Sequence, residues 1–195
     1  MTRFCGQLKV SNRLGSVVFL TPELGKWSTV GGLGVMVDEL TIGLAALGVD
    51  VHVISPYYNV NRKGKGDYLS PDGILYSGSN VVVQVGPERV EMGVHRGEVN
   101  GVKLHFMHHS TIFPRPYPPN DAAGQIRVLS AYARGCLQLM CDSKLRPDVV
   151  VTNDWFTALA PAYARQGFYG SFFDSTDFIH IAHNLDSSYE GRLYP

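Results

Sequence analysis

At 195 residues the chain can hold one domain with its own hydrophobic core, and 45% hydrophobic against 17% charged residues excludes a disordered chain. Lysine plus arginine equals aspartate plus glutamate, 17 of each, so nothing in the charge favours nucleic acid or an anionic membrane surface as a partner. No apolar run is long enough to span a bilayer. Cysteine is sparse. Cys5, Cys136 and Cys141 contain no C-x-x-C pair, which fits reduced thiols and a cytoplasmic protein without a metal site.

Met1 to Gly15 is polar and lacks the apolar centre of a signal peptide. It reads as a flexible lead-in, with the folded domain running over 16–195. Val17-Val18-Phe19-Leu20 is a short buried strand, and a loop leads from it to Gly31-Gly32-Leu33-Gly34, a glycine turn that opens a helix. Leu33, Val37, Leu40, Leu44 and Leu47 recur as one apolar face, and Gly48 stands at the expected left-handed C-terminal position. The turn leaves backbone N–H groups at the positive end of the helix, where an anion fits. The alternative is a tight strand-to-helix connection whose glycines only permit close packing. Neither G-x-G-x-x-G nor G-x-x-x-x-G-K-[ST] is present.

Val49 to Ser55 forms the next strand, and the strand–helix–strand order predicts a right-handed βαβ unit in a parallel sheet. Pro56-Tyr57-Tyr58-Asn59 ends it, and Asn61 to Gly66 reads as a mobile surface loop. Val81 to Val85, Val90 to Arg96 and Val102 to His108 are short strands, with Asn100-Gly101 a strong hairpin signal. They predict an antiparallel insertion at one edge of the sheet. His105, His108 and His109 read as edge-strand histidines, because neighbours on a strand point to opposite faces.

Phe113-Pro114-Arg115-Pro116-Tyr117-Pro118-Pro119-Asn120-Asp121 can be neither helix nor central strand. A helix from about Ala122 to Asp142 follows, with Ile126, Leu129, Ala133, Leu137 and Met140 on its core face. Asp121 is placed either to cap that helix or to hold a ligand, or to do both. Val149 to Thr152 is a second buried parallel strand. Asn153-Asp154-Trp155 lies at its carboxyl end, with Asp154 a candidate cap for a helix through Ala158, Leu159, Ala162 and Tyr163. Phe178 to Ala182 is the last strand, and His183-Asn184 is its tip. Such tips face the crevice in which open α/β sheets bind ligands. The alternation predicts a Rossmann-like three-layer αβα sandwich, mostly parallel, with an antiparallel insertion.

Glu23, followed after five residues by Thr29-Val30-Gly31-Gly32-Leu33-Gly34, resembles the N-terminal signature of bacterial glycogen synthases and plant starch synthases, an acidic residue and then K-x-G-G-L-G. Val53-Ile54-Ser55-Pro56-Tyr57-Tyr58, the proline-rich loop, the run from Val150 to Tyr163 and His183-Asn184 resemble the same family, in its order and over about residues 17–191. This chain departs from the pattern at several positions. Thr29 stands where the family has lysine, Lys26 being the nearest, and Val35 stands where it tends to have aspartate. Val151 and Phe156 replace two histidines, and two extra residues lie between Asn184 and Tyr189. Aligning Leu129-Ser130 puts Asp121 at the family's acidic position in the proline-rich loop, whereas aligning Arg127 puts Ala123 there.

The resemblance implies the acceptor-side, N-terminal half of a GT-B glycosyltransferase, truncated before its C-terminal nucleotide domain and inactive alone. Such enzymes transfer glucose with retention from ADP-glucose or UDP-glucose to the 4-hydroxyl of an α-glucan. Gly31 and Gly32, with Lys26 or Thr29, would serve the donor phosphates. Asp121 and Asn153 would hold sugar hydroxyls at the catalytic centre, and His183 and Asn184 would line the sugar or acceptor side. No cofactor or metal is implied. The rival expectation is a non-catalytic glucan-binding or regulatory lobe of the same fold.

Overall fold

The computed structural model describes residues 14–61, 64–117 and 121–184. In chain order it contains β1 (Ser16–Leu20), α1 (Gly25–Ser28), α2 (Gly32–Ala46), β2 (Asp50–Tyr57), β3 (Val60–Asn61), β4 (Gly64–Lys65) and β5 (Leu75–Val85). Then come β6 (Glu88–Val99), β7 (Val102–His108), α3 (Ala122–Asp142), β8 (Val149–Asn153), α4 (Asp154–Thr157), α5 (Leu159–Arg165) and β9 (Asp177–Ile181). Seven strands form one sheet in the order β5-β6-β7-β2-β1-β8-β9. β7, β2, β1, β8 and β9 run parallel, whereas β5, β6 and β7 pair antiparallel, giving the expected insertion at one edge.

The inner parallel strands β1 and β8 are apolar on successive residues because both faces of the sheet are covered there. On one face Val17, Phe19, Val53 and Phe106 pack under Trp27 of α1 and Val37 of α2. On the other, Val18, Leu20, Ile54 and Val150 pack against Leu129, Tyr132 and Leu137 of α3 and Ala160 of α5. Each valine, leucine, isoleucine or phenylalanine fully removed from water contributes about 1.5–3 kcal/mol. Tyr132 adds a polar anchor. Its buried hydroxyl lies 2.6 Å from the Ile54 carbonyl and accepts the Thr21 amide at 3.2 Å, tying α3 to the ends of β1 and β2.

Local signals were accurate where the chemistry is local. Asn100 and Gly101 take φ of 52° and 77° in a two-residue turn between β6 and β7. Gly48 has φ of 86°; its amide and that of Val49 bond the Ala45 and Leu44 carbonyls at 2.9 and 3.2 Å, closing α2 with a Schellman turn.

Five expectations need correction. The buried stripe of α2 is Gly34, Val37 and Thr41, while Leu40 and Leu47 are exposed. Gly34 turns toward α1, a helix the periodicity does not reveal, and a Cβ there would lie 2.2 Å from Thr29 Oγ1. Thr41 is tolerated in the core because its hydroxyl donates to the Val37 carbonyl at 2.7 Å. Ile126 of α3 is likewise exposed. Within 61–66, Asn61 and Gly64–Lys65 belong to an antiparallel ribbon of β3 and β4 rather than to a loop. β7 lies between β6 and β2, so its histidines are not on an edge strand. Asp154 does not cap α4: Asn153 holds that position without a side-chain cap, and Asp154 takes φ of 59°. Residues 1–13, most of the lead-in, and Tyr189 to Gly191 lie outside the described residues.

Candidate functional site

From β1 the chain passes through α2 to β2 on one side; from β7 it passes through α3 to β8 on the other. α2 and α3 lie on opposite faces. The carboxyl ends of β1 and β8 therefore flank the point where strand order reverses, the place where open α/β sheets take ligands.

Asn153 closes this point from below. It is fully buried; its amide nitrogen donates to the Leu20 carbonyl at 3.1 Å, and its Oδ1 lies 3.1 Å from His183 Nε2. An amide that donates to Leu20 must accept from His183, which fixes the imidazole proton on Nε2 and leaves Nδ1 with an acceptor lone pair in the neutral ring. Asn153 thus carries a structural duty that is not evident from the sequence. His183 and Asn184 are exposed at the rim.

The glycine turn lies between β1 and α2 and is held to the end of β1 through Glu23. Gly31 is the N-cap of α2, with φ −126° and ψ −156° and no side-chain cap. Glu23, 2% exposed, stands beneath it. One carboxylate oxygen accepts the Val30 and Gly31 amides at 2.7 and 2.8 Å, and the other accepts the Tyr117 hydroxyl. Tyr58 supports the same loop from the core. Burial pushes its hydroxyl well above the usual tyrosine range, so it stays a donor to the Pro22 carbonyl at 2.9 Å.

The glycines of the turn are not alike. Gly34 is required by the Thr29 contact, whereas a Cβ on Gly32 would meet nothing within 4 Å and one on Gly31 only Glu23 Oε1 at 4.0 Å. Neither has a positive φ. The fold does not require glycine at 31 or 32, and both are exposed.

Lys26 lies elsewhere. Its ammonium pairs with Asp72 at 2.5 Å, the carboxylate that also accepts Trp27 Nε1 at 2.9 Å. It lines a cleft with Asp38, Asn100 and Val102. The Thr29 hydroxyl donates to the Gly25 carbonyl. Asp121 caps α3, accepting the Gly124 amide at 2.7 Å, and remains exposed. Ala123 faces a groove shared with Gln84 and Glu88.

The structure therefore joins Asn153 to His183 at the end of β8, places Gly31 and Gly32 at the head of α2, leaves Asp121 at the head of α3 and ties Lys26 to Asp72. Sequence reasoning missed Tyr117 and Trp155, whose rings stack at 6.1 Å and 27°, and assigned Glu23 no role. An acidic residue three positions past the end of an apolar strand is the signal that could have flagged Glu23.

Strand order and reversal point define a Rossmann-like α/β domain. A family model described as the starch synthase catalytic domain matches residues 16–194, and the chain belongs to that family. It is 26% identical over 184 residues to glycogen synthase 2 of Geobacter sulfurreducens, covering 92% of this chain and 36% of that protein. It is 29% identical over 182 residues to the glycogen synthase of Geotalea uraniireducens, covering 90% and 36%. Among solved structures, the catalytic domain of starch synthase IV from Arabidopsis thaliana bound to ADP and acarbose superposes with a TM-score of 0.73 at 26% identity, covering 88% of this chain and 34% of that one. The chain spans about a third of the length of these relatives. No helix among the described residues is long and apolar enough to cross a membrane.

Proposed function

We propose that residues 16–195 form the N-terminal, acceptor-side domain of a cytoplasmic retaining glucosyltransferase that extends α-1,4-glucan from ADP-glucose or UDP-glucose. A C-terminal domain supplies the nucleotide site, so the 195-residue chain alone turns over neither donor. The observation that carries the reading is the pair Gly31 and Gly32: glycines the fold does not need, exposed at a helix start beside the switch point.

The chemistry follows from the leaving group. Breaking the sugar–phosphate bond places negative charge on a diphosphate, which backbone N–H groups and the helix dipole stabilise. Glu23 already engages the Val30 and Gly31 amides. The diphosphate is therefore left with the Gly32 amide and those of the first turn of α2, which have no partner within the helix. Gly31 contributes by the absence of a side chain, which allows close approach. Asn153 is held by Leu20 and His183 and forms the floor of the site, presenting the histidine. His183 and Asn184 then meet sugar hydroxyls or the acceptor. Asp121 joins them from the proline-rich loop while capping α3. No cofactor or metal enters this account.

The test is Gly32→Val, with Gly31→Val beside it, in the full-length gene product. Glucose transfer to glycogen should fall by roughly 100-fold or more, with a thermal midpoint close to the parent's. A folded variant that transfers at the parent rate would overturn the phosphate assignment. One observation favours the non-catalytic lobe as a second reading. Lys26 is held by Asp72 and the Thr29 hydroxyl by Gly25, so neither offers the turn a phosphate contact. A parent protein that binds glucan yet transfers glucose from neither donor would establish that reading.

A further inference from the structure

Four residues other than glycine have positive φ among the described residues: Asn100, Tyr117, Lys144 and Asp154. Two have local causes. Asn100 begins the hairpin turn between β6 and β7. Lys144 follows α3, where its amide and that of Leu145 bond the Cys141 and Met140 carbonyls at 3.0 and 2.8 Å. Tyr117, at 60°, and Asp154, at 59°, come from separate segments that meet at the rim of the site, for the Tyr117 ring lies on Trp155, the neighbour of Asp154. A bulky residue in the left-handed region persists only where its surroundings hold it. Tyr117 is held by its hydroxyl on Glu23 and its ring on Trp155.

Glu23 divides its two oxygens between the glycine turn and this tyrosine. An anion arriving at the head of α2 brings a second negative charge to the same helix end, and the two repel. The push falls on Glu23 and, through its other oxygen, on Tyr117. We propose that Glu23 and Tyr117 are positioning residues: Glu23 fixes the backbone of Val30 and Gly31, and Tyr117 ties that turn to the proline-rich segment, so that occupation of the turn is transmitted to Trp155. The inference rests on reading the turn as the phosphate site.

The test uses the 195-residue chain, inorganic pyrophosphate as the probe and NMR of the Val30, Gly31 and Gly32 amides and the Trp155 indole. In the parent, pyrophosphate moves both the Gly32 amide and the Trp155 indole. In Tyr117→Phe the free-state Val30 and Gly31 amides shift, and pyrophosphate still moves Gly32 but no longer moves Trp155. Its affinity falls about three- to tenfold, the size of one hydrogen bond. Added to Glu23→Gln, the same change alters affinity by less than twofold. Unmoved Val30 and Gly31 amides, or an equal loss in both backgrounds, would overturn the link. A parent that ignores pyrophosphate refutes the phosphate site, while the free-state amide shifts still decide the link. If Tyr117→Phe does not fold, hydrogen exchange in the parent decides: Val30 and Gly31 amides that exchange as fast as Gly32 overturn it.

Discussion

Asn153 shows how much one buried amide can organise. It joins β8 to the end of β1 by one bond and orients His183 by another. Replacing it with aspartate keeps the shape but removes the amide group that donates to the Leu20 carbonyl, and sets an acceptor against an acceptor. Asn153→Asp should therefore lower stability at neutral pH by about 2–4 kcal/mol, read as a lower urea midpoint. An unchanged midpoint would mean that the amide bears no load. The same residue marks the limit of sequence reasoning. Its motif was visible, but its structural duty was not, because the partner Leu20 is 133 positions away. Lys26 failed in the same way: the turn five residues on is near in sequence, while Asp72, 46 positions away, holds the ammonium. Where the family has histidines, Phe156 and Val151 are both buried, Phe156 against Tyr132 at 5.2 Å, so at these two positions the departures from the family pattern are packed into the core.

Among the elements, α3 is the one on which the two halves of the parallel sheet depend. Its apolar face covers β1, β2 and β8, and Tyr132 pins it to the Thr21 amide just past β1 and to the Ile54 carbonyl within β2. Tyr132→Phe keeps the packing and removes only the hydroxyl. It should cost about 1–3 kcal/mol, the penalty for buried backbone groups left short of a partner, measured by denaturant unfolding. A loss below about 0.5 kcal/mol would show that the Thr21 and Ile54 groups satisfy each other through their own 3.2 Å bond. Element order, the hairpin and the extent of α3 were legible, because turn chemistry and long apolar runs act locally. The face of α2 was not. Five leucine and valine positions suggested one stripe, but α1 takes the place beside Gly34, and burial turns toward Thr41.

For the molecule as a whole, the histidines set the response to acid. His52, His95, His105, His108 and His109 are all held below the usual histidine range, chiefly by burial. His105 is the extreme. Burial and then the neighbouring His52 push it down to about 3, with His52 Nδ1 3.0 Å from its Nε2 and its own Nδ1 buried without a partner. Arg96 and Lys103 oppose its protonation too, while Asp50, 3.4 Å from His52, favours a charge only on the far ring. A group whose folded pKa is depressed contributes stability above its unfolded pKa of about 6.5 and loses it as pH falls. Unfolding free energy should therefore decline from pH 7 to about pH 5.5, above the range in which most carboxylates titrate. His105→Leu should flatten that slope. A parent whose stability is constant across this interval would contradict the assignment.

The place of Asn153 at the switch point also bears on how the molecule comes into being. β1 is the middle strand of the parallel run, yet its partner β8 is contributed only after more than a hundred further residues, the Leu20–Asn153 bond closing a span of 133. Pairings so distant in sequence form slowly, since a long loop must be closed before any contact rewards it. During synthesis the β1–β2 pair waits with the apolar edge Val17–Leu20 open, an edge of the kind that recruits foreign strands. The ligand crevice and the end of that exposure therefore arrive in one event, the docking of β8, and a nascent chain halted before Asn153 is the species most in need of a chaperone.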